Sequence, residues 1–417
     1  MKFSAPKGTR DLLPPETAAW QHAEHVFGDV CRRFGYGEIR LPTFEQTELF
    51  QRGVGDTTDI VQKEMYTFPD KGGRSLTLRP EGTAGVVRSY VENGMASWPS
   101  PVRLYYAITA FRYENVQKGR YREFHQFGCE AIGAAGPAID AELISLLQLF
   151  FAQMGLAETK LRINSIGCPV CREAYQALLR DWLKPHLPQL CDNCQDRFVR
   201  NPLRIIDCKE TRCQAVTAQA PAQADHLCAD CQAHFDGLQH QLNVLGLSYV
   251  IDRRIVRGLD YYTRTVFEFV SEHVGTQGTI CGGGRYDGLI ETVGGAPTPG
   301  IGFALGVERL LMELDAQGIQ TPPAPTPVLF LAIAGDHEDE ARRLCFRLRQ
   351  AGLAVETDLL GRSLKAQMKY AGKSGTRYVL VLGDDEAASG SGRLRNLETR
   401  AETEVRLDQL EQHLLEA

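Results

Sequence analysis

A proline-rich segment, TPPAPTP (321–327), divides the 417-residue sequence into two regions with different hydrophobic patterns. Proline fixes φ and lacks a backbone N–H, so this segment cannot continue a helix and is typical of a linker. Downstream, apolar runs at 328–334, 353–359 and 378–383 alternate with charged, helix-like stretches. This β-α-β-α-β alternation predicts a small α/β domain with a largely parallel sheet over 328–417.

The region before the linker lacks that alternation and is rich in glycine and in extended aromatic segments. The clearest are VRLYYAITAFRYE (102–114), REFHQFGCEAIG (122–133) and TVFEFV (265–270). They predict an α+β domain, with an antiparallel sheet and helices on one side. Residues 167–237 are polar and helix-like, so we expect them to be an insertion between 1–166 and 238–320.

Composition sets broad limits on the kind of protein. Apolar content of 43% and charged content of 24% are those of a globular protein. No stretch approaches the roughly 20 apolar residues of a membrane span, and MKFSAPKGTRDLLPPE lacks the apolar core of a secretory signal. We therefore expect a cytoplasmic protein. A net charge of −6 excludes a generally basic nucleic-acid binder but not local basic patches.

Eight of the twelve cysteines fall between Cys168 and Cys231 and should be reduced in the cytoplasm. Three pairs have the spacing C-x2-C, and the first two pairs are separated by 19 residues, within the range of a four-thiolate zinc site. The spacing predicts a structural Zn²⁺ site formed by Cys168, Cys171, Cys191 and Cys194. The alternative is a group of cysteines that binds no metal.

The segment FRYENVQKGRYREFHQFGCE (111–130) has two extended runs around Gln117–Gly119, as in a long hairpin. Between Arg112 and Arg122 it carries four basic residues and one acid, Glu114. A basic loop held by two strands suits a polyanion, and arginine is preferred for bidentate phosphate contacts. The alternative is a solvated charged hairpin.

Three glycine- or proline-containing segments are candidates for ligand contacts. GIGFALGVERLLMEL (300–314) predicts a strand followed by a helix that begins near Arg309. A phosphate bound there would contact both the Arg309 side chain and the N-terminus of the helix. The glycines of CGGGRYDGL (281–289) allow close backbone approach, although no G-x4-G-K-[ST] loop occurs. In TLRPEGT (77–83), Glu81 and Thr83 could cap a helix or bind an ammonium group.

The strand-like RGLDYYTRTVFEF (257–269) contains an unexpected pair of adjacent tyrosines. Neighbouring side chains of a strand point to opposite faces, so Tyr261 and Tyr262 cannot both face one core. Arg257, a few residues before them, is equally unexpected in a buried strand.

Together these segments resemble the class II aminoacyl-tRNA synthetases, specifically the histidyl-tRNA synthetase family. The resemblance extends from KGTRDLLP (7–14) to the C-terminal domain. The three class motifs correspond to GYGEIRLPTFE (35–45), to FRYE through REFHQ (111–126), and to GIGFALGVERL (300–310). RGLDYYTRTVFEF and CGGGRYDGL are similar to two segments peculiar to this family. The resemblance implies a class II catalytic domain with a helical insertion and a C-terminal anticodon-binding domain.

The resemblance also implies an activity. Histidine is activated with ATP to histidyl-adenylate, with Mg²⁺ on the pyrophosphate side, and is then transferred to the 3′ end of tRNA(His). Catalysis of this kind needs positioning and charge stabilisation, not a protein nucleophile. The implied catalytic residues are Arg112, which holds the α-phosphate, and Arg257, a fixed cation. The implied ATP-binding residues are Arg112, Glu114, Arg120 and Arg309.

Substrate recognition is implied in the same way. Glu130 would accept from one imidazole N–H while a tyrosine serves the other nitrogen, and such a site rejects apolar isosteres by up to about 10⁴–10⁵. The implied histidine-binding residues are Glu81, Gly82, Thr83, Gln126, Glu130, Tyr261 and Tyr262. The implied tRNA-binding residues are Gln117, Lys118, Arg120, Lys365 and Lys369.

Two further features concern tRNA and assembly. Asn115–Val116 replace the Arg-Pro that often follows FRYE in the family, so one contact to the acceptor end is missing or replaced by Lys118 or Arg120. Lys365, Lys369 and Lys373 are spaced by four and would lie on one helix face, facing either an RNA backbone or solvent. Motif 1 typically lies at a two-fold interface, which implies a homodimer.

Two other functions remain as alternatives. One is a synthetase-like regulatory subunit of ATP phosphoribosyltransferase, which commonly lacks the anticodon module and the catalytic arginines. The other is a domain that senses uncharged tRNA. Arg112, Arg257 and Arg309, and the absence of a fused kinase, favour an enzyme.

Overall fold

The computed structural model describes residues 3–55, 58–156, 158–206, 208, 210–255, 259–271 and 278–416. The chain divides into two compact units, Met1–Pro322 and Pro323–Ala417. The boundary falls within the proline-rich segment 321–327. None of the helices in the described ranges is long and apolar enough to span a membrane.

The first unit contains a large sheet, a small sheet and most of the helices. Its strands are β1 (Gly37–Glu38), β2 (Phe44–Gln46), β3 (Thr67–Pro69), β4 (Ser75–Leu78), β5 (Val102–Phe111), β6 (Glu123–Ile132), β7 (Lys160–Ser165), β8 (Tyr249–Ile251), β9 (Thr263–Val270), β10 (Thr279–Arg285) and β11 (Gly300–Gly306). Its helices are α1 (Glu16–Arg33), α2 (Thr47–Val54), α3 (Thr83–Glu92), α4 (Pro137–Gln153), α5 (Pro169–Leu183), α6 (Asp192–Arg200), α7 (Leu203–Ile206), α8 (Thr211–Thr217), α9 (Ala229–Val244), α10 (Leu289–Thr292) and α11 (Val307–Ala316). Short helical turns lie at Ile60–Glu64, Met95–Ser97, Lys184–Gln189 and Gln223–Asp225.

The large sheet has eight strands in the order β1-β5-β6-β11-β10-β9-β7-β8. Its central strands are antiparallel, and β1 and β8 pair in parallel at the two edges. The strands β5 and β6 form a long hairpin, paired from Val102 opposite Ile132 to Phe111 opposite Glu123. The predicted antiparallel sheet is therefore confirmed.

The main core lies between one face of this sheet and the helices α1, α4 and α9. Helix α4 is apolar on nearly all sides, as expected of a helix buried in the core. Phe27 of α1 stacks on Phe127 of β6 at 4.7 Å and meets Phe150 of α4 edge to face at 5.4 Å. The aromatic strand residues found in the sequence thus anchor the helices to one side of the sheet, which leaves its other face for the site.

The cysteine-rich segment lies between β7 and β8 and contains the helices α5 to α8 and the start of α9. It has a small core of its own, which includes Tyr175, Leu179, Leu183 and Ile205. Helix α9 begins in this segment and continues into the main core through Phe235 and other residues. The insertion is therefore connected to the large sheet by a continuous helix.

The second unit has a five-stranded sheet in the order β13-β12-β14-β15-β16. The strands are β12 (Leu329–Ile333), β13 (Val355–Thr357), β14 (Tyr378–Leu382), β15 (Ser391–Asn396) and β16 (Glu402–Arg406). The helices are α12 (Glu338–Gln350), α13 (Leu364–Ser374), α14 (Asp384–Ser389) and α15 (Leu410–Glu416). β12, β13 and β14 are parallel, as the sequence predicts, and β15 and β16 add an antiparallel edge.

Candidate active site

The face of the large sheet opposite the main core carries small and polar residues. Side chains two apart on a strand share a face, so Gln126, Gly128 and Glu130 of β6 lie together on this side. The residues that the strand register aligns with them are Gly302, Ala304 and Gly306 of β11, Gly282 of β10 and Glu268 of β9. The small residues Gly282, Ala304 and Gly306 leave their part of this face open to a ligand.

Glu130 is a fully buried carboxylate on this face. Its Oε1 accepts hydrogen bonds from the hydroxyls of Thr83 at 2.8 Å and Tyr106 at 3.2 Å, and its Oε2 accepts one from Tyr286 at 2.7 Å. Burial raises the pKa of Glu130 to about 8, Glu81 adds to the rise, and the three hydroxyls oppose it. Glu130 can therefore change its protonation near neutral pH when a ligand binds.

Glycines make the close packing around Glu130 possible. A Cβ at Gly302 would overlap the Glu130 carboxylate, and a Cβ at Gly128 would overlap the ring of Tyr106. Gly284 of the CGGGRYDGL segment is held in the same way, between Thr265 and Tyr262. Most of these glycines are therefore needed for packing within the site. Of the three consecutive glycines 282–284, only Gly282 borders the neighbouring cavity.

Glu81 lies just before α3 and caps its N-terminus. Its carboxylate accepts hydrogen bonds from the backbone N–H groups of Thr83 at 2.6 Å and Ala84 at 2.8 Å. Burial raises the pKa of Glu81, and these N–H groups oppose the rise. A Cβ at Gly82 would overlap the ring of Tyr106, so glycine is required here. Glu81 therefore caps α3, whereas the Thr83 hydroxyl donates to Glu130, and the ammonium-binding role of both residues stays a prediction.

Tyr261 and Tyr262 lie beside the Glu130 cluster. Their ring centroids are 4.7 Å apart, and the Tyr261 ring meets the ring of Tyr286 at 5.9 Å. The guanidinium of Arg172, at the start of α5, donates hydrogen bonds to the carbonyls of Asp260, at 3.1 Å, and Tyr262. The insertion therefore holds the segment that carries both tyrosines.

A cavity of about 750 Å³ adjoins this face, and Gln126, Gly282, Ala304 and Gly306 belong to its lining. The Oε1 of Gln126 is buried and has no hydrogen-bond partner among the described residues. An unpaired buried acceptor is costly, so a donor from a ligand would stabilise it. Gln126 therefore lies at the cavity and on the same face of β6 as Glu130.

Arginines gather on one wall of the cavity. Arg112 donates to the carbonyl of Pro80 at 2.8 Å, and Arg309 donates to the carbonyl of Thr279 at 2.7 Å. Glu114 lies 3.8 Å from the guanidinium of Arg112 and 3.5 Å from that of Arg120. Three guanidinium groups therefore meet at this wall, and together they can bind a phosphate group.

The charges around Arg309 act on its ionisation. Burial lowers its pKa, and the neighbouring guanidinium groups of Arg120 and Arg112 lower it further, against the opposite effects of Glu114 and Glu268. Arg309 lies in the first turn of α11, as the sequence predicts. A bound phosphate would relieve this repulsion and would also be favoured by the helix N-terminus.

Several residues of the site did not stand out in the sequence. Tyr106 and Tyr286 are ordinary strand and loop residues until the fold brings their hydroxyls to Glu130. Glu308 accepts from the backbone N–H of His125 at 2.9 Å and pairs with the His125 ring Nδ1 at 2.9 Å, which fixes the start of α11 to β6. The only signal for Glu308 was its place beside Arg309 in VER.

The tip of the β5–β6 hairpin is present as predicted. Gln117 and Arg120 pair across it, with Gly119 between them at φ +74°. Gly119 packs against the side chains of Met312 and Arg309. Gln117 and Lys118 are exposed, whereas Arg120 lines the cavity.

Lys365, Lys369 and Lys373 are exposed on α13, which is continuous from Leu364 to Ser374. The predicted helix therefore runs through all three lysines. On the same helix the ring of Tyr370 stacks under the guanidinium of Arg362 at 4.5 Å.

The cysteines form two groups, and this corrects the single site predicted from spacing. Each group has its four Sγ atoms within 4.8 Å of one another. The first cysteine cluster is Cys168, Cys171, Cys228 and Cys231, and the second cysteine cluster is Cys191, Cys194, Cys208 and Cys213. Cys168 and Cys171 therefore do not combine with Cys191 and Cys194, because the chain returns to the first pair at the start of α9. Either cluster could bind a metal.

Arg257, predicted from its family resemblance to be a catalytic cation, lies outside the described residues.

The fold and the site define a class II aminoacyl-tRNA synthetase. The histidyl-tRNA synthetase family model matches residues 8–310, and an anticodon-binding domain model matches residues 327–417. The chain belongs to the histidyl-tRNA synthetase family.

Individual relatives agree with this assignment. A histidine–tRNA ligase of Acetivibrio thermocellus is 62% identical over 411 residues, covering 98% of this chain and 99% of that protein. One from Desulforamulus reducens is 53% identical, with 98% of each chain covered. The apo structure of S. aureus histidyl-tRNA synthetase has a TM-score of 0.84 at 38% identity, covering 99% of this chain and 100% of that one.

These matches identify the activity as that of an ATP-dependent ligase that charges tRNA(His) with histidine. They include the anticodon-binding domain, which the regulatory-subunit alternative commonly lacks. Among the residues with described side chains, Arg112 and Arg309 both lie at the cavity. The two alternative functions are therefore not supported.

Proposed function

We propose that the Glu130 cluster recognises the imidazole of histidine and that the arginine-lined cavity binds the phosphates of ATP. The observation that carries this proposal is the group of three arginines, Arg112, Arg120 and Arg309, in a cavity that adjoins a buried carboxylate. Gln126, with its unpaired Oε1, lies between the two parts. The Oε1 of Gln126 would accept a hydrogen bond from the α-ammonium group of histidine. Backbone and side-chain oxygens near Glu81 and Thr83 would accept the other hydrogen bonds of this group.

This arrangement supports direct attack of the histidine carboxylate on the α-phosphorus of ATP. One carboxylate oxygen forms the new O–P bond as the bond from the α-phosphorus to the pyrophosphate oxygen breaks. Arg112 and Arg309 would hold the phosphate oxygens in line and balance the charge that develops on them. Arg120 would bind the distal phosphates with Glu114 as its orienting partner.

Mg²⁺ would enter as part of the ATP substrate. Glu114 and Glu268 border the cavity and supply the carboxylate oxygens that this ion prefers alongside phosphates and water. The ion would neutralise part of the phosphate charge. Arg257 is proposed as a fixed cation near the α-phosphate because RGLDYYTRTVFEF resembles a segment peculiar to the family.

The exposed hairpin tip is the proposed contact for the acceptor end of tRNA(His). Gln117 and Lys118 are exposed there while Arg120 faces the cavity. Asn115 and Val116 are exposed next to them and offer no positive charge. Lys118 is therefore the proposed replacement for the arginine that the family often has at this place.

The lysines of α13 are the proposed contacts for the anticodon arm. Lys369→Glu is expected to raise the KM for tRNA(His) and to reduce the slope of log KM against log salt by about one, because one phosphate contact is lost. Histidine-dependent ATP–pyrophosphate exchange should not change. The control is Arg393→Glu on β15, which reverses an exposed charge in the same unit. An unchanged tRNA KM and salt slope in Lys369→Glu would contradict this role.

A homodimer is the proposed assembly, and the cytoplasm is the proposed location. GYGEIRLPTFE matches the interface motif of the class, and its Phe44 packs edge to face on Phe68 at 6.4 Å with both rings partly exposed. Large exposed apolar patches mark interaction surfaces, and these two rings would form part of one in the dimer. Light scattering at micromolar concentration is expected to give twice the chain mass of 46.3 kDa. A monomer mass would contradict the dimer.

A crystal structure with histidine and a non-hydrolysable ATP analogue tests the site assignment directly. The imidazole is expected within hydrogen-bond distance of Glu130 or its tyrosines, and the α-phosphate between Arg112 and Arg309. Phosphates bound away from these arginines would contradict the assignment.

A further inference from the structure

We propose that each cysteine cluster binds one Zn²⁺ ion and that the two ions hold the insertion against the active site. In the first cluster the Sγ of Cys168 lies 3.7 Å from that of Cys171 and 3.9 Å from that of Cys228. In the second, the Sγ atoms of Cys191 and Cys208 are 3.9 Å apart. Four sulfurs at about 2.3 Å from a tetrahedral zinc would be separated by about 3.8 Å. These three Sγ–Sγ distances match the separation expected around a zinc ion.

The backbone around the clusters favours thiolates. Cys168, Cys191 and Cys228 each immediately precede a helix, α5, α6 and α9 respectively. The partial positive charge at a helix N-terminus stabilises a negatively charged ligand beside it. The backbone N–H of Cys228 also donates to the Sγ of Cys171 at 3.0 Å, and that of Cys191 donates to the Sγ of Cys213 at 3.2 Å. Such outer hydrogen bonds orient metal-bound ligands.

A zinc ion fits these thiols better than a disulfide, an iron–sulfur cluster or a single iron ion does. All eight are free cysteines, and no pair of them forms a disulfide in the described chain. The sulfurs within a cluster lie within 4.8 Å of one another, which leaves room for one ion and is too tight for a multi-iron cluster. A mononuclear site of four thiolates selects zinc, or iron where a redox function requires it. Adenylate formation and acyl transfer require no redox step, so we assign zinc.

The insertion needs such support because its own core is small. The second cluster lies inside that core, with Cys194 and Cys213 fully buried beside Leu179 and Ile205. A short segment with few apolar residues gains much of its folding free energy from a structural metal. The second ion would therefore fix α6, α7 and α8 relative to one another.

Each ion also has a link to the active site, which rests on the proposed function. The first cluster fixes the start of α5, where Arg172 follows Cys171 directly and holds the carbonyl of Tyr262. The second cluster fixes the segment whose Ile206, Cys208 and Gln214 line the cavity. The ions are thus positioned to set the tyrosine wall of the histidine site and one wall of the ATP site.

Metal analysis of the full chain tests the zinc sites independently of any activity. The protein should be purified without a metal-binding tag and without chelator, and about two zinc ions per chain are expected, one for each cluster. The double variants Cys228→Ser/Cys231→Ser and Cys191→Ser/Cys194→Ser should each retain about one. Cys345→Ser, a buried thiol of the second unit, is the matched control and should retain two. One ion or none in the unaltered chain, or iron in place of zinc, would overturn the proposal.

A second measurement avoids the risk that the variants do not fold. In crystals of the unaltered protein, anomalous scattering at the zinc edge should give a peak at the centre of each cluster, and absence of either peak would overturn that site. Loss of the first ion should also raise the KM for histidine several-fold more than loss of the second. An unchanged KM for histidine in a folded variant that lacks the first ion would overturn the positioning role of that ion. The measured zinc content would still support the two zinc sites.

Discussion

Arg112→Ala is expected to slow formation of histidyl-adenylate by about 10²–10³-fold, with a much smaller change in the KM for ATP. A guanidinium aimed at charge that develops in the transition state acts mainly on the rate, and removing one such donor has an effect of this size in other enzymes. The structure supports this for Arg112, which is oriented by the carbonyl of Pro80 and by Glu114 at the edge of the cavity. Rapid-quench measurement of adenylate formation gives the rate.

Two comparisons make this test specific. Transfer from preformed adenylate to tRNA should be slowed less, because the phosphate is already attached to histidine and positioned. The control is Arg103→Ala, at the end of β5 that is distant from Arg112. Arg103 pairs with Glu142 at 3.0 Å outside the cavity, so its removal should leave both steps unchanged. Equal losses in both steps for Arg112→Ala, or the same loss for Arg103→Ala, would contradict the role of Arg112.

Glu130→Gln is expected to raise the KM for histidine by about 10- to 100-fold, the usual range for losing one hydrogen bond to a charged group. Glutamine keeps the volume of the side chain, and the hydroxyls of Thr83, Tyr106 and Tyr286 can donate or accept, so the packing should persist. The KM for ATP should change little. Steady-state ATP–pyrophosphate exchange with varied histidine measures both values.

The pH dependence separates recognition from packing. Because the pKa of Glu130 is raised to about 8, the free site is largely protonated at neutral pH. Accepting from an imidazole N–H requires the carboxylate, so histidine affinity should increase as pH rises through 8, where the imidazole is already neutral. Glu130→Gln should lack this increase. Glu313→Gln, another fully buried carboxylate, should retain it. An equal weakening of histidine and ATP in Glu130→Gln would make Glu130 a structural residue.

Much of the fold could be predicted from local pattern. The β5–β6 hairpin and the alternation of strands and helices in the second unit have strong hydrophobic periodicities. The strands β12, β13 and β14 lie within the three apolar runs that predict them. The strands β15 and β16 were missed because SGRLRN and ETEVR are short, polar edge strands with little apolar alternation. Their pairing depends on β14, which no local pattern reveals.

The candidate site depended more on contacts distant in the chain. Glu130 could be named from sequence, but its environment comes from Tyr106 and Tyr286, which are 24 and 156 residues away. The cysteine clusters also depend on contacts between residues that are distant in the chain. Spacing along the chain favoured Cys168 with Cys191, whereas the fold returns Cys228 to Cys168 across 60 residues. A C-x2-C pair identifies half of a site, and the tertiary fold selects the other half.

ATP–pyrophosphate exchange, measured separately with each of the twenty standard amino acids, tests the central claim most directly. Histidine alone is expected to support exchange, because only its side chain presents two ring nitrogens to Glu130 and the neighbouring tyrosines. Exchange with a different amino acid at a comparable rate, or no exchange with histidine in the folded protein, would contradict the assignment of this site to histidine activation.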